Sequence, residues 1–150
     1  MGFEIIRTDN KNADFNYLIK LLDESLNEIN GESQKQFDKH NKVDHISEAV
    51  VIYNDKVPAA CGAYKEFDVE SAELKRIFVV KEARRKGLAK LVVRELEELA
   101  RSKGYKFAIL ETGVKQKEAI TLYRSMGYEA IQNFEPYIGS VDSVCMRKPL

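Results

Sequence analysis

The sequence predicts a mixed α/β sheet of about seven strands with helices on both faces, and three observations carry that prediction. Three strand-like runs, at 49–53, 58–67 and 72–80, follow one another with only short turns between them, the pattern of an antiparallel meander. A strand, a long amphipathic helix and another strand then span 72–111, the pattern of a right-handed parallel crossover. An earlier helix carries one apolar stripe, so it too covers a sheet face. The 150 residues amount to one domain, 1–150, large enough to bury a core.

The first strand is Phe3 to Arg7. Asp14 is expected to cap the first helix, whose stripe is Phe15, Leu18, Ile19, Leu22, Leu26 and Ile29, with Asn30-Gly31 ending it. Residues 32–46 are polar, with Phe37, Val43 and Ile46 as the large apolar side chains, and read as one or two short helices. His40 and His45 lie there beside Asp38 and Asp44, as solvated surface residues or as contacts to a substrate. Asn54-Asp55-Lys56 forms a hairpin turn, and Pro58 marks an unpaired start to the strand that follows. Asp68-Val69-Glu70 connects to the run at 72–80. Leu88, Leu91, Val92, Leu96 and Leu99 give the long helix its face, and Gly104 ends it. Lys106 to Glu111 is a short strand, Gln116 to Met126 a helix stopped by Gly127, and Tyr128–Ile131 with Ser143–Lys148 a final hairpin around a long loop at 132–142.

Composition excludes several classes. Lys and Arg number 24 and so do Asp and Glu, which argues against attachment to nucleic acid by bulk charge. The N-terminus has no long apolar run, so neither a signal peptide nor a membrane span is expected there, and Ile at the sixth position breaks the myristoylation pattern after Gly2. Cys61 and Cys145 have no metal-like spacing and sit in apolar strand segments, as reduced core residues of a cytoplasmic protein. No metal site is expected.

The run Arg84-Arg85-Lys86-Gly87-Leu88-Ala89 stands between a strand and the long helix. A helix start exposes unpaired backbone N–H groups and the positive end of the dipole. Three cations are badly placed there unless an anion compensates them, and a phosphate or pyrophosphate is the anion such a site accepts. The other reading is a solvated basic turn. Gly87, without a side chain, lets a ligand approach the backbone.

Arg84-x-x-Gly87-x-Ala89 between strand and helix resembles the acetyl-coenzyme A loop of the GNAT superfamily of N-acetyltransferases. The preceding Ala72-Glu73-Leu74-Lys75-Arg76-Ile77-Phe78-Val79-Val80 resembles that family's fourth strand, and Ala119-Ile120-Thr121-Leu122-Tyr123 followed by Gly127-Tyr128 resembles its later A-x-x-L-Y-x-x-x-G-F segment, with Tyr128 in place of the usual Phe. The resemblance runs from the second predicted strand to the end of the helix at 116–126, and implies the GNAT fold and acetyl-CoA as co-substrate.

Site residues follow from the same resemblance. Arg84, Arg85, Lys86, Gly87, Leu88 and Ala89 would cradle the pyrophosphate, while the backbone of Phe78, Val79 and Val80 would pair with the pantetheine arm as an added strand. Gln116 falls where the family often has an asparagine touching that arm. Tyr123 would be the general acid that protonates the departing thiolate; otherwise it is a core tyrosine. Glu73 would be the base for the amine, with Glu111 as the alternative; otherwise Glu73 pairs with Lys75 or another cation. Glu73 and Val79 are an even number apart and share a strand face unless a bulge intervenes, ~20 Å apart.

The function these residues support is transfer of an acetyl group to a primary amine of a small-molecule acceptor by direct attack in a ternary complex, since neither cysteine lies where a covalent intermediate is expected. The loop at 132–142, with Phe134, Pro136 and Tyr137, is placed to close over such an acceptor. A protein amine as acceptor, and an acyl-CoA sensor without turnover, are the alternatives. The family often forms homodimers. A triphosphate-binding glycine loop is excluded because no Gly-Lys-Ser/Thr follows.

Overall fold

The computed structural model describes residues 2–30, 46 and 48–150, without the side chains of 27–30. The expected short helices of 32–46, with Phe37, Val43, His40, His45, Asp38 and Asp44, lie outside the described residues apart from Ile46, which is buried. The side chain of Ile29 lies outside them as well.

Runs rich in β-branched and small apolar residues pair in sequence order as the expected meander: β1 (Phe3–Thr8), β2 (Glu48–Asn54), β3 (Val57–Glu66) and β4 (Ser71–Val79), all antiparallel. Asp55 and Lys56 both take left-handed φ, 49° and 71°, in the two-residue turn that joins β2 to β3. β5 (Phe107–Gly113) lies parallel to β4, and β7 (Ser143–Pro149) sits between β5 and the short β6 (Glu129–Ile131). The sheet order is β1-β2-β3-β4-β5-β7-β6. The helices are α1 (Ala13–Asn30), α2 (Leu88–Ser102) and α3 (Lys117–Ser125).

Alternation along the strands sends side chains to two cores. Ala49, Val51, Cys61 and Ala63 meet Phe15, Leu18, Ile19 and Leu22 of α1 on one face. Val50, Ile52, Ala60 and Leu74 meet Val92, Val93 and Leu96 of α2 on the other, so helices cover both faces as predicted. Buried Glu97 of α2 accepts from the Tyr128 hydroxyl at 2.7 Å and from Lys148 at 3.0 Å, tying α2 to β7. Neither cysteine is in a disulfide, and both are buried.

The cap of α1 corrects the expectation. Asn12, not Asp14, accepts the N–H of Phe15 (2.8 Å), because it stands one residue before the helix, where its side chain reaches the third helical N–H. Asp14 instead accepts from the Tyr53 hydroxyl at 2.6 Å. That carboxylate is the main cause holding the phenol up at about 12.

A bulge in β4 decides the geometry of the site. Lys75 is opposite Ala63 and Phe78 opposite Cys61, so Arg76 and Ile77 together face the single residue Gly62. Arg76 takes φ 60° to make the extra step. The parity of the strand changes there. Lys75 and Phe78 stand on the α1 side with Ala63 and Cys61, and Glu73 shares their side, while Val79 packs with the α2 core. The expectation that Glu73 and Val79 share a face therefore fails, through the bulge that was its stated exception.

Gly62 is the residue that lets α2 lie close over this bulge. A Cβ built there would stand 2.4 Å from Cγ1 of Val92 and 3.0 Å from Cδ1 of Leu96. Val92 is β-branched and fully buried, so it has little room to turn away. Gly62→Ala is expected to cost about 1–3 kcal/mol by overpacking, read as a lower denaturation midpoint at unchanged m-value.

Candidate active site

β4 and β5 separate partway along. Their parallel pairing runs only from Ser71↔Phe107 to Leu74↔Leu110, after which β5 pairs onward with β7 as far as Gly113. Residues 75–79 of β4 have no strand on that side among the described residues. The gap opens a cleft of about 130 Å³, walled by Glu73–Ile77 of β4, Leu110–Gly113 of β5, Leu22 and Leu26 of α1, and Gln116, Ala119 and Tyr123 at α3. Tyr137, from the loop at 132–142, completes the lining.

The expected site residues divide into two groups in space. Glu73, Gln116 and Tyr123 line the cleft, together with Glu111, the alternative base. Phe78, Val79 and Val80 continue β4 beyond it, toward the basic loop. The Val80 N–H already donates to the Ala59 carbonyl at 2.9 Å, and the Val79 carbonyl accepts from Nε of Arg84 at 3.2 Å. A ligand pairing with this strand end therefore cannot use the Val80 donor while that bond stands.

In the loop, a 3₁₀ turn at Lys81–Ala83 leads to Arg84, and α2 begins at Leu88 with Gly87 as its N-cap. Arg85 and Gly87 both take left-handed φ, 67° and 77°. The φ at Gly87 is what demands glycine, since a Cβ there would meet no neighbouring atom. Gly87 offers no side-chain cap, so the first-turn N–H groups, those of Leu88 and Ala89 included, keep their donors for a ligand. Arg84, Arg85 and Lys86 are all exposed around that helix start, while the side chain of Leu88 is buried in the core and anchors it.

The cleft is rich in buried ionisable groups. Glu73, 3% exposed, is 3.3 Å from Nζ of Lys75 and 3.9 Å from Nζ of Lys65. Burial pulls the Lys75 ammonium below its ordinary value, and Glu73 works against that shift. Burial pushes the Glu111 carboxyl from 4.5 up to about 7; the charge of Lys75 opposes the rise and that of Glu73 adds to it. Tyr123, 7% exposed, is raised well above its ordinary value by burial and then by the charge of Glu111, so its phenol stays protonated.

Among the described residues, the buried side-chain polar atoms that lack a hydrogen-bond partner are Nε of Arg76, Oε2 of Glu111, Nε2 of Gln116 and Oγ of Ser143. The first three belong to cleft-lining residues, and Ser143 stands at the register position of Gly113 on the neighbouring strand. Orphaned buried polar groups are costly and rare in folded chains. A polar ligand in this cleft would meet several of them at once. Sequence reading did not single out Arg76 or Ser143 as site residues. An arginine or a serine at a strand position carries no local mark, and only the bulge and the β5–β7 register bring these two to the cleft.

A family model described as the acetyltransferase (GNAT) family matches residues 15–128. An uncharacterized N-acetyltransferase of Bacillus subtilis, YsnE, is 37% identical over 94 residues, 61% of this chain and 62% of its own. An IAA acetyltransferase of Azospirillum brasilense is 38% identical over 92 residues, 60% of each chain. The chain thus spans about three fifths of the length of these curated relatives, and less of others. Among solved structures, a candidate acyl-CoA N-acyltransferase from Klebsiella pneumoniae superposes with a TM-score of 0.81 at 29% identity, covering 99% of this chain and 97% of that one. A GNAT family acetyltransferase from Elizabethkingia anophelis, solved with acetyl-CoA bound, gives 0.73 at 17% identity over 99% and 98%. The family match takes in most of the chain, from α1 through the end of α3 and on to Tyr128, and this protein belongs to the GNAT acetyltransferase family.

Proposed function

We propose that this protein transfers an acetyl group from acetyl-CoA to the amine of a small-molecule acceptor, by direct attack while both are bound. The observation that carries the reading is the cleft between β4 and β5, where a protonated buried phenol, Tyr123, and a carboxyl that ionises at about 7, Glu111, line one cavity. The strand that forms one wall leads straight into a helix start surrounded by Arg84, Arg85 and Lys86. A pyrophosphate fits that helix start, and the peptide-like pantetheine fits the unpaired edge of β4. The co-substrate of the Elizabethkingia relative supports the same choice.

In this reading Glu111 takes a proton from the bound ammonium. The free amine attacks the thioester carbonyl, the C–N bond forms, the C–S bond breaks and Tyr123 gives its proton to the departing thiolate, while the second proton lost by the nitrogen returns through solvent to the Tyr123 phenolate. We move the role of base from Glu73 to Glu111. Glu73 is tied to Lys75 at 3.3 Å, whereas Glu111 carries an oxygen with no partner. Glu73 then balances the charge of Lys75. The thiols do not compete as nucleophiles: burial pushes Cys61 up to about 12 and Cys145 up to about 11. Two free thiols so placed support a reducing, cytoplasmic setting. Tyr137 in the cleft wall favours a small acceptor, because the 132–142 loop partly closes the space a protein tail would need.

The test is thiol release from acetyl-CoA across a panel of amines. Release that depends on a particular amine is the expected result. Acetyl-CoA that binds and protects the fold while no amine, small or peptidic, gives turnover would replace this reading with a sensor. The loop has its own test: Gly87→Val forces a β-branched residue into φ 77° and should raise the KM for acetyl-CoA about 10-fold at little change in kcat.

A further inference from the structure

We propose that the acceptor amine carries a carboxylate, and that Arg76 is the residue that selects it. The inference rests on the acetyl-transfer reading above and names the acceptor class of the same cleft.

Arg76 lines the cleft from the bulge of β4, with its side chain only 3% exposed. A buried guanidinium needs partners for its donors. Nη2 donates to Oδ1 of Asp23 on α1, while Nε has no partner. Those two nitrogens form the side edge of the guanidinium, which binds a carboxylate through two parallel charge-assisted bonds. Asp23 fills half of that edge. Its side chain is 42% exposed, so it can turn to solvent when a ligand takes its place. A carboxylate on the acceptor would fill both positions and satisfy the orphan.

The rest of the cleft matches a molecule with both signs of charge. Glu73 holds Lys75 at 3.3 Å, which leaves Arg76 for a carboxylate, and Glu111 supplies the acidic group for the ammonium. A simple monoamine would leave Nε of Arg76 unsatisfied. An amino acid or a similar amino-carboxylate satisfies both ends at once. The cleft volume of about 130 Å³ suits an acceptor of that size.

The experiment is steady-state thiol release from acetyl-CoA by the wild-type protein, with each free amino acid compared to its carboxamide and its decarboxylated amine. For the accepted side chain, kcat/KM for the carboxylate form should exceed that of the other two by about 10- to 100-fold. Arg76→Gln should abolish this preference through a raised KM for the carboxylate form. Asp23→Ala, which frees the edge without removing the guanidinium, should lower KM for the carboxylate form several-fold. Equal use of all three forms by the wild type would overturn the inference while the transfer reading stands. An unchanged or raised KM in Asp23→Ala would also overturn it. Thiol release with no amine at all would bring down the transfer reading and this inference with it.

Discussion

Tyr123→Phe is expected to lower kcat by about 10²- to 10⁴-fold and to leave the KM for acetyl-CoA nearly unchanged. The substitution removes one oxygen from a ring that is 7% exposed and packed edge-on to Tyr128 at 5.8 Å between centroids. The ring keeps its packing, so the fold should hold. What disappears is the proton for the thiolate. Burial holds that phenol above its ordinary range, so it is fully protonated at neutral pH. Steady-state kinetics together with a denaturation curve separates the two effects. A large loss of activity with an unchanged midpoint is the expected pair.

Glu111→Gln is expected to remove the acidic limb of the pH–rate profile. The base must be ionised to act, and burial holds its carboxyl at about 7. In the wild type, kcat/KM should therefore rise with pH and level off above about 7. In the glutamine variant the rate at pH 8 should fall by about 10²- to 10⁴-fold and lose that limb. The same substitution should stabilise the fold. Raising the folded-state value from 4.5 to about 7 favours the neutral carboxyl. Its contribution is therefore fully present below 4.5 and lost as pH rises through about 7. Above that pH the buried carboxylate costs of order 3 kcal/mol, which glutamine does not incur. A higher melting temperature than wild type at pH 8, with near-equal values at pH 4, is the predicted signature. A carboxyl that lowers stability where it works is the behaviour of a group held for chemistry.

Most of the fold was legible because its signals are local. The meander from β2 to β4 shows in β-branched runs and a two-residue turn, and α2 shows in Leu88, Leu91, Val92, Leu96 and Leu99 at helical spacing. The cap of α1 was misplaced by two residues because Asn12 and Asp14 are both good capping residues, and only the hydrogen bond to Phe15 distinguishes them. The basic loop stands out in the sequence as a candidate anion site, since cations crowded at a helix start conflict with the dipole.

The interior of the cleft was much less legible. Strand parity places Glu73 and Val79 together, but Arg76 takes a left-handed step opposite Gly62 and breaks that parity. Glycine in β3 and arginine in β4 are 14 positions apart, and no single-sequence rule links them. The balance between Glu73 and Glu111 was hidden for a related reason. Both are acids in strands, and the packing gives Glu73, the more buried of the two, an ion pair with Lys75 and leaves an oxygen of Glu111 without a partner. Charge pairing in three dimensions, rather than residue type, separates the two carboxyls.

Whether the acetyl group passes straight from the thioester to the amine inside this cleft is decided by initial velocities with acetyl-CoA and acceptor both varied. Direct attack in a ternary complex predicts lines that intersect in the double-reciprocal plot, and no acetyl group retained on the protein after incubation with acetyl-CoA alone. Parallel lines, with a protein-bound acetyl group that an amine then removes, would contradict it.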